Sequence, residues 1–520
     1  MELLARAAVV AGLVVAVPAA VWVAARIDGP GPTSVTVSPP GSGAASGAPP
    51  PVVGSSGCAA AACHGSPTVS APGPGCWQSS ATQWMASDPH TRAYAVLTDA
   101  PPGVRVSAKE IMRRYAGTDE RGEPRVAATD EPRCLACHTN PTLATPTATD
   151  GVRALRADGV GCEACHGNAG EWYGSHTTWT AANREKEYGD HKMAPLYDVG
   201  ERALVCAGCH VGAPADEKRG YPVRDMNHDM IAAGHPRLNF DFADYQARLP
   251  RHWFERDRLS PARPQPTRGP AFELQCWLVG RVATAEAACK LTADRATRAN
   301  PWPEFAEFNC YSCHHELVPG GWKQTGLPPG TRRRPGSPPW QTIWPVTRPD
   351  DLAAIGGPKE AMAALLQVME VPRPNAGPAR DAADKVAAAL AGLRNRFAKK
   401  SSEGDAAAEA VGVLDRVKQR VETKDAAAAI DWDTAAQAYL GAAAADRARR
   451  LQTGDTSEVS QAFRTALDRL RLPRVFEKGK SEKGKTEKEM FNSPRDLDPT
   501  KTREAIDEVL RSVVPKAGPP

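Results

Sequence analysis

Aromatic residues are scarce in this chain, 6% of 520 residues, and neither sign of charge dominates: 64 Lys and Arg stand against 60 Asp and Glu, a formal net charge of +4. The first shortage argues against a large β-sandwich, whose strands draw on aromatic and β-branched side chains. The second removes the electrostatic footprint of a nucleic-acid-binding protein, so no nucleic acid is expected as a partner. Cysteine and histidine are missing beyond His315, which confines their chemistry to the earlier part of the chain. Gly (44) and Pro (47) are plentiful, the mark of loop-rich modules joined to Ala-rich helices. With 42% hydrophobic residues the chain has enough apolar surface to fold, and its length allows two or three domains.

Residues 7–25 carry no charge and lie between Arg6 and Arg26. A run of that length is about enough to span a bilayer as a helix and is long for the apolar part of a cleaved signal. Both readings export the body of the protein. The segment 28–57 is rich in Gly, Pro, Ser and Ala and reads as a flexible tether. The length of the apolar run and the tether behind it favour an uncleaved anchor. The expected location is the periplasmic side of the cytoplasmic membrane, with the membrane itself as a partner through the segment 1–27.

Ten of the 13 cysteines fall into five groups, each ending in Cys-His. Four have the spacing Cys-x-x-Cys-His: Cys134, Cys137 and His138; Cys162, Cys165 and His166; Cys206, Cys209 and His210; Cys310, Cys313 and His314. The first group is wider, Cys58, Cys63 and His64. Cys-x-x-Cys-His is the attachment sequence of c-type haem. Two thiols three positions apart sit on one helical turn and reach two vinyl groups on one porphyrin edge, and the next residue reaches the iron. The expectation is five covalently attached haems c. Zinc is the competing reading of Cys-x-x-Cys pairs, yet zinc does not ask for His directly after every second Cys. Cys58 and Cys63 could instead close a small disulfide loop. Of the remaining cysteines, Cys276 and Cys289 flank what reads as a short helix and are expected to form a disulfide, leaving Cys76 as a buried or free thiol.

Five of the 12 His are used in these groups, and seven remain: His90, His176, His191, His228, His235, His252 and His315. A second axial His gives a low-spin iron of fairly low potential, whereas Met raises the potential. Met85, Met193, Met226 and Met230 are the Met alternatives. His90 opens a helical run, His228 and His235 would share a helix face two turns apart, and His315 follows a motif histidine directly. His191 and His252 are the weaker two.

The stretches WMASDPHTRAYAVL, CEACHGNAGEWYGSH, RALVCAGCHVG, MNHDMIAAGHPRLNFDF and FNCYSCHHEL resemble the multihaem cytochrome c family typified by cytochrome c-554, over residues 58 to about 320. The resemblance implies an electron carrier, with redox proteins as partners. It also implies distal ligands at His90, His176, His228, His235 and His315. A fifth motif and a long carboxy-terminal extension depart from that family.

Residues 326–350 are rich in Pro, Gly and Arg and read as a surface linker. Beyond it the apolar spacing is helical: Val386, Leu390, Leu393 and Phe397 share one face, as do Leu414, Val417 and Val421, then Val459, Phe463, Leu467 and Leu470. Thr500 is placed to cap a last helix running to about Val514. The expected architecture is mainly α: a loop-rich multihaem cytochrome domain with short helices at 58–325, then an α-helical bundle at 351–520.

Two functions fit. One is electron transfer between redox partners, with no bond made or broken. The alternative is an oxidoreductase acting on a small nitrogen or sulfur compound at a haem with an open coordination site, where His191 or His252, with neighbours such as Arg251 and Asp229, would supply acid or base.

Overall fold

The computed structural model describes residues 51–69, 76–98, 106–146, 148–180, 182–253, 255, 269–308, 340, 348–399, 403–422, 432–470 and 498–514. The chain is mainly α-helical. Among the described residues there is no β-sheet, only isolated bridges such as Thr118 with Pro124 and Ala213 with Arg224.

The helix Phe272–Arg298 organises the molecule. It is 27 residues long, and 21 of them are buried, so it is covered on every side rather than along one stripe. The helices Ala376–Ala398, Glu403–Glu422 and Trp432–Thr453 pack on it from the carboxy-terminal side, and Val199–His210 and Phe242–Arg248 from the other. Two small residues permit the closest of these approaches. A side-chain carbon at Gly280 would come within 2.5 Å of Phe242, and one at Gly441 within 2.7 Å of Trp277. The resulting apolar core runs without a break from Val199 to Val514.

A helix buried all round must satisfy its polar side chains internally. Gln275 donates to the carbonyls of Phe397 (2.7 Å) and Lys399 (3.0 Å). Arg281 donates to the carbonyl of Phe240 (2.8 Å) and lies 3.3 Å from Asp241. Arg295 bridges Asp225 and Glu307, and Glu307 also accepts from the Trp340 indole (2.9 Å).

The carboxy-terminal helices follow the apolar spacing. Val386, Leu390, Leu393 and Phe397 are buried on one helix, and Leu414, Val417 and Val421 on the next. Phe463 and Leu470 are buried on Gln461–Leu470, while Val459 precedes that helix and Leu467 is half-buried. The last helix is Pro499–Val513. Its cap is Asp498, whose carboxylate accepts from the backbone N–H of Thr500 and Lys501; Thr500 lies inside the helix.

Two expectations need correction. Cys276 and Cys289 are not bridged: both lie inside the one long helix, where 1.5 Å per residue separates them by about 20 Å. The expected anchor at 7–25 lies outside the described residues, and among the described residues no helix is long and apolar enough to cross a membrane. The longest helix is interrupted by Arg281, Glu286, Lys290, Asp294 and Arg295. The transmembrane helix, the membrane as partner and the anchored periplasmic location are therefore not carried into the functional reading.

Candidate functional site

The motif histidines end helices. His138 closes Pro132–His138, His166 closes Cys162–His166 and His210 closes Val199–His210. The starts of two of these helices are fixed by side chains: Glu131 accepts from the N–H of Arg133, and Asp198 from those of Gly200 and Glu201. Each motif thus occupies a last helical turn, with its two cysteines and its histidine presented together. In the wider group, Cys58 ends a short helix and Cys63 and His64 lie in the turn behind it.

Each described motif histidine is faced by a second histidine from elsewhere in the chain. Ring centres lie 6.3 Å apart for His64 and His176, 6.4 Å for His138 and His235, 6.5 Å for His166 and His252, and 6.2 Å for His210 and His90. Hydrogen bonds set the tautomers. The Nδ1–H of His138 donates to the Ala93 carbonyl (2.7 Å), that of His235 to Pro236 (2.8 Å), that of His64 to Trp77 (2.8 Å) and that of His176 to Tyr173 (2.7 Å). His90 donates instead to the Asp88 carboxylate (2.8 Å). With the proton on Nδ1 in the neutral ring, Nε2 is left as its unprotonated nitrogen, a lone pair that can accept a hydrogen bond or ligate.

Burial keeps most of these rings neutral. His166, His210 and His235 are each pushed down to about 4, chiefly by burial, and a nearby histidine adds to this in each case. Burial also lowers His138 and His252. His90 goes the other way: burial opposes its charge, but the hydrogen bond and charge of Asp88 outweigh it, and its value is raised.

The cysteines show how the groups adjoin. Cys58 and Cys162 share a hydrogen bond, as do Cys137 and Cys209. Cys209 is held down to about 6, mainly by the hydrogen bond from Cys137 and further by the charge of Arg224. The charges of Cys206 and Cys209 reach Cys165, and that of His64 reaches His166. Among the described groups the third therefore adjoins the first and the fourth, and the fourth adjoins the second, which differs from the order along the chain.

Of the expected second histidines, His90, His176 and His235 stand opposite motif histidines. His228 starts the helix His228–Ala233, its N–H donating to Glu304 (2.8 Å) and its ring edge-on to Phe305. Gly234, at φ 120°, ends that helix, so His235 lies beyond it and turns to His138. Cys310, Cys313, His314 and His315 lie outside the described residues. His252, one of the two weaker candidates in the sequence, faces His166; it stands in an irregular Pro-Arg-His-Trp segment with no periodicity to mark it. His191 stacks on Trp179 (5.7 Å) and pairs with Glu187 (3.3 Å). Of the Met alternatives, Met85 is 54% exposed and Met230 is buried among Ile111 and Ala233.

The expected cofactor complement, five covalently attached haems c, is corrected here. Among the described residues no group of three or more His, Cys, Asp or Glu side chains could hold a metal ion, and no described cysteine is in a disulfide. The protein side chains supply imidazoles two at a time, fewer than the four ligands that a structural zinc ion takes from its protein.

Residues 74–167 match the family model described as cytochrome c554 and c-prime. That stretch holds His90 and the motifs ending at His138 and His166. At the level of that family the match suggests a role in electron transfer. No curated protein and no solved structure matches the chain.

Proposed function

We propose that this chain is an electron-transfer protein; imidazole carries no electron of its own, so the facing histidine pairs mark the positions at which a redox group would sit rather than the carriers themselves. The observation that carries this reading is that every described motif histidine has a second histidine 6.2–6.5 Å away, centre to centre. The relay runs from His64/His176 through His166/His252 and His90/His210 to His138/His235, and exchanges electrons with redox partner proteins at its ends.

The cysteines and histidines of the five groups are the site residues of this proposal: Cys58, Cys63, Cys134, Cys137, Cys162, Cys165, Cys206, Cys209, Cys310 and Cys313 with their histidines. The oxidoreductase alternative loses its acid–base candidates to other roles, since His252 faces His166 and His191 is held by Trp179 and Glu187.

Protein-film voltammetry on the purified full chain tests the proposal. Several reversible one-electron steps are expected, unaffected by nitrite, hydroxylamine or sulfite. A chain with no reversible step overturns the reading, and a catalytic current with one of those compounds turns it toward the oxidoreductase.

A further inference from the structure

A cavity of about 120 Å³ lies where the helix Trp432–Thr453 meets the central helix and the segment that follows His235. Small side chains leave room for it: Ala288 on the central helix and Ala436 on Trp432–Thr453 both line the space. Its wall is largely apolar, and the rings of two lining residues, His210 and Phe240, are stacked with centres 5.6 Å apart. An apolar cavity of comparable size, about 150 Å³, holds one benzene.

Most polar groups on the wall are matched. Arg237 is held by Asp433 (2.8 Å), and Arg295 by Asp225 and Glu307. Thr284 donates to the Gly280 carbonyl (2.7 Å) and Trp432 to that of Leu470 (2.9 Å). The Asp241 carboxylate lies 3.3 Å from the Arg281 guanidinium. Gln437 is different. It is 8% exposed, and its Oε1 is buried with no hydrogen-bond partner among the described residues. It stands one turn past Asp433, on the helix face that brings Asp433, Ala436 and Leu440 to the cavity. A buried amide oxygen without a donor costs free energy that an incoming donor recovers.

We propose that this cavity binds a neutral, single-ring aromatic alcohol of the size of phenol, with its ring against Phe240 and His210 and its hydroxyl donating to Oε1 of Gln437. Each lining arginine already holds a carboxylate, so an anion finds no free cation here. A purely apolar ring fills the space and leaves the amide oxygen unmet. A pocket that is apolar apart from one buried acceptor therefore selects its ligand by the donor. The inference stands apart from the electron-transfer reading, since it needs only the cavity and the amide.

The test is isothermal titration calorimetry of the purified full chain with phenol, benzene and benzoate. Phenol is expected to bind roughly tenfold more tightly than benzene, the worth of one hydrogen bond to a buried acceptor, and benzoate not at all. Gln437→Leu, close in volume, should erase the preference by weakening phenol roughly tenfold while benzene holds or gains. Ala288→Leu, which fills the cavity, should abolish binding of both rings, and it serves if the Gln437 variant does not fold. Equal affinities for phenol and benzene, or a phenol affinity unmoved by Gln437→Leu, overturn the role of Gln437. Benzoate binding as tightly as phenol overturns the neutral class. No binding by either ring, or phenol binding that survives Ala288→Leu, overturns the site. The voltammetry is untouched by any of these outcomes, so the two readings fail separately.

Discussion

Arg394 donates through Nε to Glu286 at 2.8 Å, joining residues 108 positions apart in the chain. Its other arm reaches Glu201 at 3.0 Å, on the helix that ends at His210. One guanidinium thus ties a carboxy-terminal helix, the central helix and a motif helix together. Glu286 is 0% exposed, with Lys290 as its second partner at 2.6 Å.

Arg394→Ala should therefore cost about 3–5 kcal/mol, the penalty for leaving a buried carboxylate short of its partner. Replacing both sides, Arg394→Met with Glu286→Gln, should cost clearly less, because the charges left behind, Glu201 and Lys290, both reach solvent. Urea unfolding of the three chains measures this; equal losses in the single and double variants would refute it.

The buried histidines give the fold an acid limit. His166, His210 and His235 lie at about 4 when folded and at 6.5 ordinarily. A base whose folded value is depressed contributes stability that is complete above 6.5 and is lost as the pH falls toward 4, because the unfolded chain takes up the protons first. Each contributes up to about 3 kcal/mol over that window. His90, with its raised value, contributes with the opposite sign. The urea midpoint should fall steeply between about pH 6.5 and 4.5, before most carboxylates titrate. A midpoint independent of pH over that range would sink the prediction.

His252 and His191 should behave differently, although neither stands out in sequence. Removing the ring in His252→Ala takes away the partner of His166 (6.5 Å), so on the electron-transfer reading one reduction step should shift or vanish. His191→Ala should leave every step in place, since that ring touches Trp179 and Glu187 only at the surface of the fold. Voltammograms of the two variants decide it: identical traces would remove His252 from the relay.

Gly280→Ala sets two effects against each other. Alanine favours a helix over glycine by about 1 kcal/mol. Against that, the new carbon would lie 2.5 Å from Phe242 at a contact with no slack, and overpacking costs about 1–3 kcal/mol. Packing wins, and the thermal midpoint should drop. A rise in the midpoint would mean that the Phe242–Arg248 helix can yield.

Leu390 and Phe397 are legible in the sequence because helical period and burial coincide there. The motif histidines are legible because their neighbours are adjacent along the chain. His252 is not, because a meeting of segments that no local spacing encodes brings it to His166. Cys276 and Cys289 mislead for the complementary reason: a helix buried on all sides has no polar face, so its length is invisible to periodicity. Thr500 and Asp498 differ by two positions, which only the backbone donors of the first turn can decide.

The enclosed helix Phe272–Arg298 also has a consequence for how the molecule breathes. Amide protons in its middle, from Trp277 to Cys289, face protein in every direction and can exchange with solvent only when the whole fold opens. The segment around Cys58 to His64 is bound by a few turns and an exposed thiol at Cys63, and it can open by itself. Deuterium should reach the first histidine pair long before it reaches the central helix, so the relay frays from one end while its middle stays shut.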